Sequence, residues 1–124
     1  MATRKKSRGV TLATLRRLAL ALPGAEEGTS YGTPAWKVRG KLFARLHQSG
    51  EDLVVKLDFD ERDFLMQAKP KVFHITDHYA DVEMMLVRLD AASEDELRER
   101  LEVSWRRSAP KRLIADLDEK SWVD

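Results

Sequence analysis

The chain switches between two hydrophobic periods. Leu12, Leu15, Leu18, Ala19 and Leu22 recur at helical spacing, with Arg16 and Arg17 on the opposite side. Thr11 suits an N-cap and Pro23–Gly24 ends the run, so a helix is predicted from Thr11 to about Leu22. From about Glu27 to Leu57 the period falls to two. Gly28, Gly32 and Pro34 punctuate a first strand and a turn. Trp36 and Val38 alternate with Lys37 and Arg39; past Gly40, Leu42, Ala44 and Leu46 alternate with Lys41, Phe43 and Arg45. A three-residue loop, Arg39–Gly40–Lys41, would pair Val38 with Leu42 and Trp36 with Ala44, collecting the apolar residues on one face. A turn at Gln48–Glu51 then leads into a strand Asp52–Leu57. Connections this short make the strands antiparallel.

Asp60 is a fitting N-cap for a short helix from Glu61 to about Ala68, with Phe64 and Leu65 facing in and Pro70 beyond its end. Residues 72–79 read as a short strand and a turn. Glu83–Leu89 reads as another strand, and its centre, Met84–Val87, is apolar on both faces, which predicts a central, covered position. Ser93–Glu94–Asp95–Glu96 is a capping box that opens a helix with Leu97, Leu101, Ser104, Trp105 and Ser108 as its inner stripe. Ala109–Pro110 breaks it, and Pro110 fits the first position of a last helix carrying Leu113, Ile114 and Leu117. The fold class that follows is α+β: an antiparallel sheet of about five strands, helices on one face, and the other face at least partly open. The organisation expected is a disordered basic arm at 1–9, a single domain at 10–120, and a tail at 121–124 that carries Trp122.

Composition narrows the classes. With 124 residues the chain is long enough for one domain with a real core. It contains no cysteine, which excludes disulfides, thiolate metal sites and cysteine nucleophiles. No apolar run reaches the ~18 residues that span a bilayer. The N-terminus has basic residues without an apolar core, so no secretory signal is read there. A cytoplasmic, monomeric protein that does not engage membranes is expected.

Charge is nearly balanced, at a formal +1, so its distribution carries more information than its total. Gly28 to Gly50 contains no Asp or Glu, yet it holds Lys37, Arg39, Lys41 and Arg45, with His47 close behind. These four cations on a hairpin are the candidate nucleic-acid contacts, addressed to phosphates and carrying no sequence preference. The competing reading places them on the wet face of a half-buried sheet, where they also guard against edge pairing. Tyr31, Phe43, His78 and Tyr79 are candidates for a pocket or stacking surface. Trp36 shares its face with Val38, Leu42 and Leu46 and is assigned to the core. Tyr79 reads as a packed corner with its hydroxyl bonded.

His74 and His78 are four apart, but in a strand and turn they do not converge, so no metal site is expected. Glu26 and Glu27 are adjacent on a strand and point to opposite faces, which argues against shared acid–base work. There is no nucleophile–base pairing and no phosphate-binding glycine loop, so neither an enzyme nor a cofactor is expected. A protein–protein adaptor using the open sheet face, with Phe43 as an anchor, is the alternative. A small-ligand site around Tyr31, Lys41 and His78 is a third reading.

Several segments resemble the MmcQ/YjbR-like family of small bacterial proteins. They are Leu22–Pro23–Gly24, Glu26–Glu27, Tyr31–Gly32–Thr33–Pro34–Ala35–Trp36, Val38–Arg39–Gly40–Lys41–Leu42–Phe43–Ala44, Leu53–Leu57, His78–Tyr79 and Ser104–Trp105. The resemblance covers roughly residues 11–115. It implies an α+β fold of frataxin-like topology, a double-wing arrangement of hairpins and a DNA-binding role. The chain departs from the family in its strand after Tyr79, where Met84–Val87 replaces a strand that often contains tryptophan.

Overall fold

The computed structural model describes residues 10–123, with side chains described through Glu119; the basic arm expected at 1–9 lies outside the described residues. The elements run α1 (Leu12–Leu20), β1 (Ala25–Ser30), β2 (Thr33–Val38), β3 (Lys41–Leu46), β4 (Asp52–Lys56), α2 (Phe59–Ala68), β5 (Phe73–His74), a single 3-10 turn (Asp77–Tyr79), β6 (Met84–Arg88), α3 (Glu94–Ser108) and α4 (Lys111–Val123). The helix α4 therefore continues through most of the stretch read as a tail. The six strands form one antiparallel sheet in the order β1-β2-β3-β4-β6-β5.

Most helix starts follow from local chemistry. The Thr11 hydroxyl accepts from the Thr14 N–H and caps α1. Ser93 and Glu96 exchange both bonds of the capping box at the start of α3, at 3.0 and 2.9 Å. At α2 the cap is Asp58 rather than Asp60: its carboxylate accepts from Glu61 N at 2.8 Å, and the helix starts two residues earlier than expected. Phe64, expected to face in, is 68% exposed, while Leu65, about 100° further round the helix, packs on the core.

All four helices contribute to one core on one face of the sheet. Leu15, Leu18, Leu97, Leu101, Trp105 and Leu113 meet Trp36, Val38, Ala44, Leu53, Val55, Met85 and Val87. A smaller cluster on the opposite face, Val54, Leu86 and Tyr79, is covered by the segment around the 3-10 turn. Val54 and Leu86 face each other across β4 and β6, so β6 is buried on both sides as its sequence predicted.

The β2–β3 hairpin corrects the expected register. Val38 pairs with Lys41 and Lys37 with Leu42, so the loop is the two residues Arg39–Gly40. Both have left-handed backbones, φ 50° and 81°, the type I′ pattern whose twist matches the flanking strands. The pairing of Trp36 with Ala44 is restored by a bulge on β3, in which Phe43 is the extra residue. As a result Phe43 and Ala44 both enter the helix-side core and Leu42 faces Lys37. Helix α3 meets the bulged residue from the β4 side of β3. The Ser104 hydroxyl donates to the Phe43 carbonyl and accepts from the Lys56 N–H at 2.9 Å, standing between β3 and β4 where a direct ladder bond would run.

Candidate functional site

Two neighbouring regions hold the residues singled out from sequence. At the turn end of the β2–β3 hairpin, Lys37, Arg39 and Lys41 are exposed. The register puts Lys37 on the sheet face away from the helices and Lys41 on the helix side, with Arg39 at the tip between them. No carboxylate lies within 4 Å of any of the three among the described residues, although Glu26 stands opposite Lys37 across β1 and β2. On the helix side the charge extends further: Lys56 has its pKa lowered by burial, then by Arg107 and Lys41. Its ammonium reaches the Ser108 hydroxyl at 3.4 Å. Arg107 is held to Glu83 at 2.7 Å. Lys56 and Arg107 escaped sequence reasoning because they come from β4 and the end of α3, which only the fold brings beside Lys41.

Arg45 does not join this group. Four residues along β3 from Lys41, at about 3.3 Å per residue, it lies near the other end of the strand. It is only 6% exposed. Its guanidinium donates to the Tyr79 hydroxyl at 2.9 Å and to the Gln48 side-chain oxygen at 3.2 Å, with a longer contact to the Leu46 carbonyl. The Tyr31 ring lies over it, 5.0 Å from centroid to guanidinium carbon. The burial follows from β-alternation: Arg45 sits opposite Val54 on the face covered by Tyr79.

Around Arg45 is a cavity of about 300 Å³ lined by Tyr31, Arg45, His47, Gln48, Thr76, His78 and Tyr79. Three of the four expected pocket residues are therefore together. Phe43 is the exception, because the bulge turns it into the core at 1% exposure, and with it goes the proposed adaptor anchor. Lys41 is absent from the lining as well. Gln48 and Thr76 carried no sequence signal beyond polarity and His47 was noted only beside the cationic run, since the three meet only when the 3-10 turn packs against β3.

Tyr31 stands at a hairpin tip. It opens the two-residue Tyr31–Gly32 turn between β1 and β2 with φ 56°, followed by Gly32 at 78°, the same type I′ pattern as Arg39–Gly40. It is also 78% exposed. Tyr79 by contrast is buried at 4%, with its hydroxyl bonded as expected, and its ring meets His78 edge-on at 5.0 Å.

The remaining candidates resolve into structural roles. His74 bonds Asp52 at 2.9 Å on β5, and His78 lies on the 3-10 turn. Glu27 accepts from Trp36 Nε1 at 3.0 Å and pairs with Arg16 at 2.8 Å, while Glu26 faces the other side. Among the described residues no group of three or more His, Cys, Asp or Glu could hold a metal, and no helix is long and apolar enough to cross a membrane.

Comparison with known proteins adds family and fold. A search of curated proteins returned no match. The structure is similar to the crystal structure of Deinococcus radiodurans protein DR2400, a DUF419 domain, with a TM-score of 0.67 and 24% identity over 81% of this chain and 79% of that one. At that identity the likeness speaks for the fold. The family model YjbR matches residues 20–107, from the end of α1 through nearly all of α3. That span takes in the sheet, the basic hairpin tip and the whole polar cavity, and on it the chain belongs to the YjbR family.

Proposed function

We propose that the protein is a non-enzymatic nucleic-acid-binding protein of the cytoplasm, and that the tip of the β2–β3 hairpin is its contact with phosphate. The observation that carries this reading is the grouping of three exposed, unpaired cations at one hairpin tip. On the helix side, Arg16, Arg17, Lys69, Arg98, Arg100, Arg106 and Arg107 each have a carboxylate within 4 Å. Lys37, Arg39 and Lys41 have none among the described residues and all three are exposed; Lys71, Lys111 and Arg112 are exposed and unpaired too, but they do not share one hairpin. An exposed cation already neutralised by an acid gains little from a phosphate. An uncompensated one releases condensed counterions when it binds. Lys56 adds to the same field from the neighbouring strand. Contacts of this kind position a protein on a backbone without reading bases.

Fluorescence anisotropy with a duplex oligonucleotide across a series of salt concentrations tests the reading. Affinity should fall steeply with salt, and Arg39→Asn should reduce the log–log slope by about 0.9. Asparagine tolerates the left-handed backbone at this position, so the fold is retained. Affinity that is absent at low salt, or a slope unchanged in Arg39→Asn, overturns the assignment.

A further inference from the structure

We infer that the cavity around Arg45 is a binding site for a small phosphomonoester carrying a planar ring, the chemistry of a nucleoside monophosphate. The inference is independent of the hairpin reading, since none of Lys37, Arg39 and Lys41 lines the cavity.

The charge argument comes first. Arg45 is a buried guanidinium with no carboxylate within 4 Å among the described residues, and none of the seven lining residues is acidic. A buried cation without a counter-charge is costly, and proteins ordinarily pair it. Two other buried arginines in this fold find a carboxylate or a set of carbonyls, although Arg62 Nε and one terminal nitrogen of Arg100 stay buried without a partner. Arg100 meets Glu61 at 2.9 Å, and Arg62 donates to the carbonyls of Tyr79, Ala80, Val82 and Met84. Arg45 has neither: its partners are a phenol, a side-chain amide and one distant carbonyl. A guanidinium carries five N–H donors; the bonds Arg45 makes use three, and the other two stay within reach of the cavity's solvent, because no Arg45 nitrogen is both buried and unbonded. An anion in the cavity supplies the missing charge and accepts those donors.

The lining suits phosphate. Beside Arg45 stand the Thr76 hydroxyl, the Gln48 amide and two imidazoles, from His47 and His78. His47 Nδ1 is engaged by the Ser49 N–H at 3.2 Å and the Ser49 hydroxyl at 3.1 Å, which leaves Nε2 as the ring nitrogen not tied to its own turn. A guanidinium among several neutral polar groups, with no acid, matches the charge and the three terminal oxygens of a phosphomonoester.

The ring argument rests on Tyr31. One side of its ring is occupied by Arg45, yet the residue is mostly exposed at the tip of the β1–β2 turn, at the mouth of the cavity. A planar group laid on the outward side of the ring would stack there while its phosphate reached Arg45.

Titration of the isotopically labelled protein with adenosine 5′-monophosphate, followed by amide and side-chain NMR, tests this. Shifts are expected at Tyr31, Arg45, Gln48 and His78, with affinity about tenfold higher than for either inorganic phosphate or adenosine. Arg45→Gln should abolish the shifts. Because Arg45 is buried, exposed Tyr31→Asn serves as the second variant and should bring the affinity for the monophosphate down to that for inorganic phosphate. Lys37→Gln and Lys41→Gln should leave the titration unchanged. The inference fails if millimolar monophosphate moves no cavity resonance, or if the shifts fall on the hairpin tip instead. It also fails if adenosine or inorganic phosphate binds as tightly as the monophosphate.

Discussion

Lys56 shows how a single side chain records the company it is folded into. Its pKa is lowered from the usual 10.5 by burial and by the neighbouring Arg107 and Lys41. A base whose folded pKa lies below its unfolded value is more readily protonated in the unfolded chain. The fold therefore gains stability from this residue as pH climbs towards the unfolded value. Lys56→Met removes the penalty at every pH. Its stabilising effect, measured by urea unfolding, should be largest near neutrality and should shrink towards about pH 10. A variant whose advantage stays constant over that range would contradict the assignment. The sequence showed Lys56 only as the polar end of a strand, because the charges that act on it come from β3 and α3. Arg45 was seen as a cation but misplaced for a related reason. Alternation gave it a face, and what covers that face is a turn more than thirty residues later.

At the scale of elements, the parts that depend on neighbours in sequence were readable. The alternation of β2, the capping box of α3 and the Pro23–Gly24 stop all act locally. The β3 bulge was not readable, because no alternation rule anticipates two consecutive residues facing the core, and the bond its Phe43 carbonyl accepts comes from Ser104, sixty-one residues away. Element ends drifted where two acids competed for one cap, as at Asp58 and Asp60. Arg62 illustrates a tie that pattern cannot reveal. From α2 it gathers four carbonyls of the connection between the 3-10 turn and β6, at 2.8–3.1 Å. Methionine would keep much of the length and packing while removing every donor. Arg62→Met should cost about 2–4 kcal/mol in urea unfolding, since four charge-assisted bonds are lost, although the Tyr79 and Val82 carbonyls keep backbone donors from Val82 and Met84. A loss below about 0.5 kcal/mol would mean that water replaces the guanidinium without difficulty.

Across the whole molecule, a net charge of +1 conceals a division of labour. Acids and bases neutralise each other over much of the helical layer, and the hairpin side keeps positive charge in reserve at the tip and inside the cavity. The two layers are joined by Ser104. Its hydroxyl takes the Lys56 amide proton that β3 would otherwise bind. Removal of α3 from the sheet therefore exposes that amide while both flanking strands remain intact. Deuterium uptake at the Lys56 amide becomes a clock for helix departure, separate from strand separation. It should run faster than uptake at Val55 and accelerate further in Ser104→Ala; equal rates at the two amides, unaffected by the substitution, would show that helix and sheet come apart only as one.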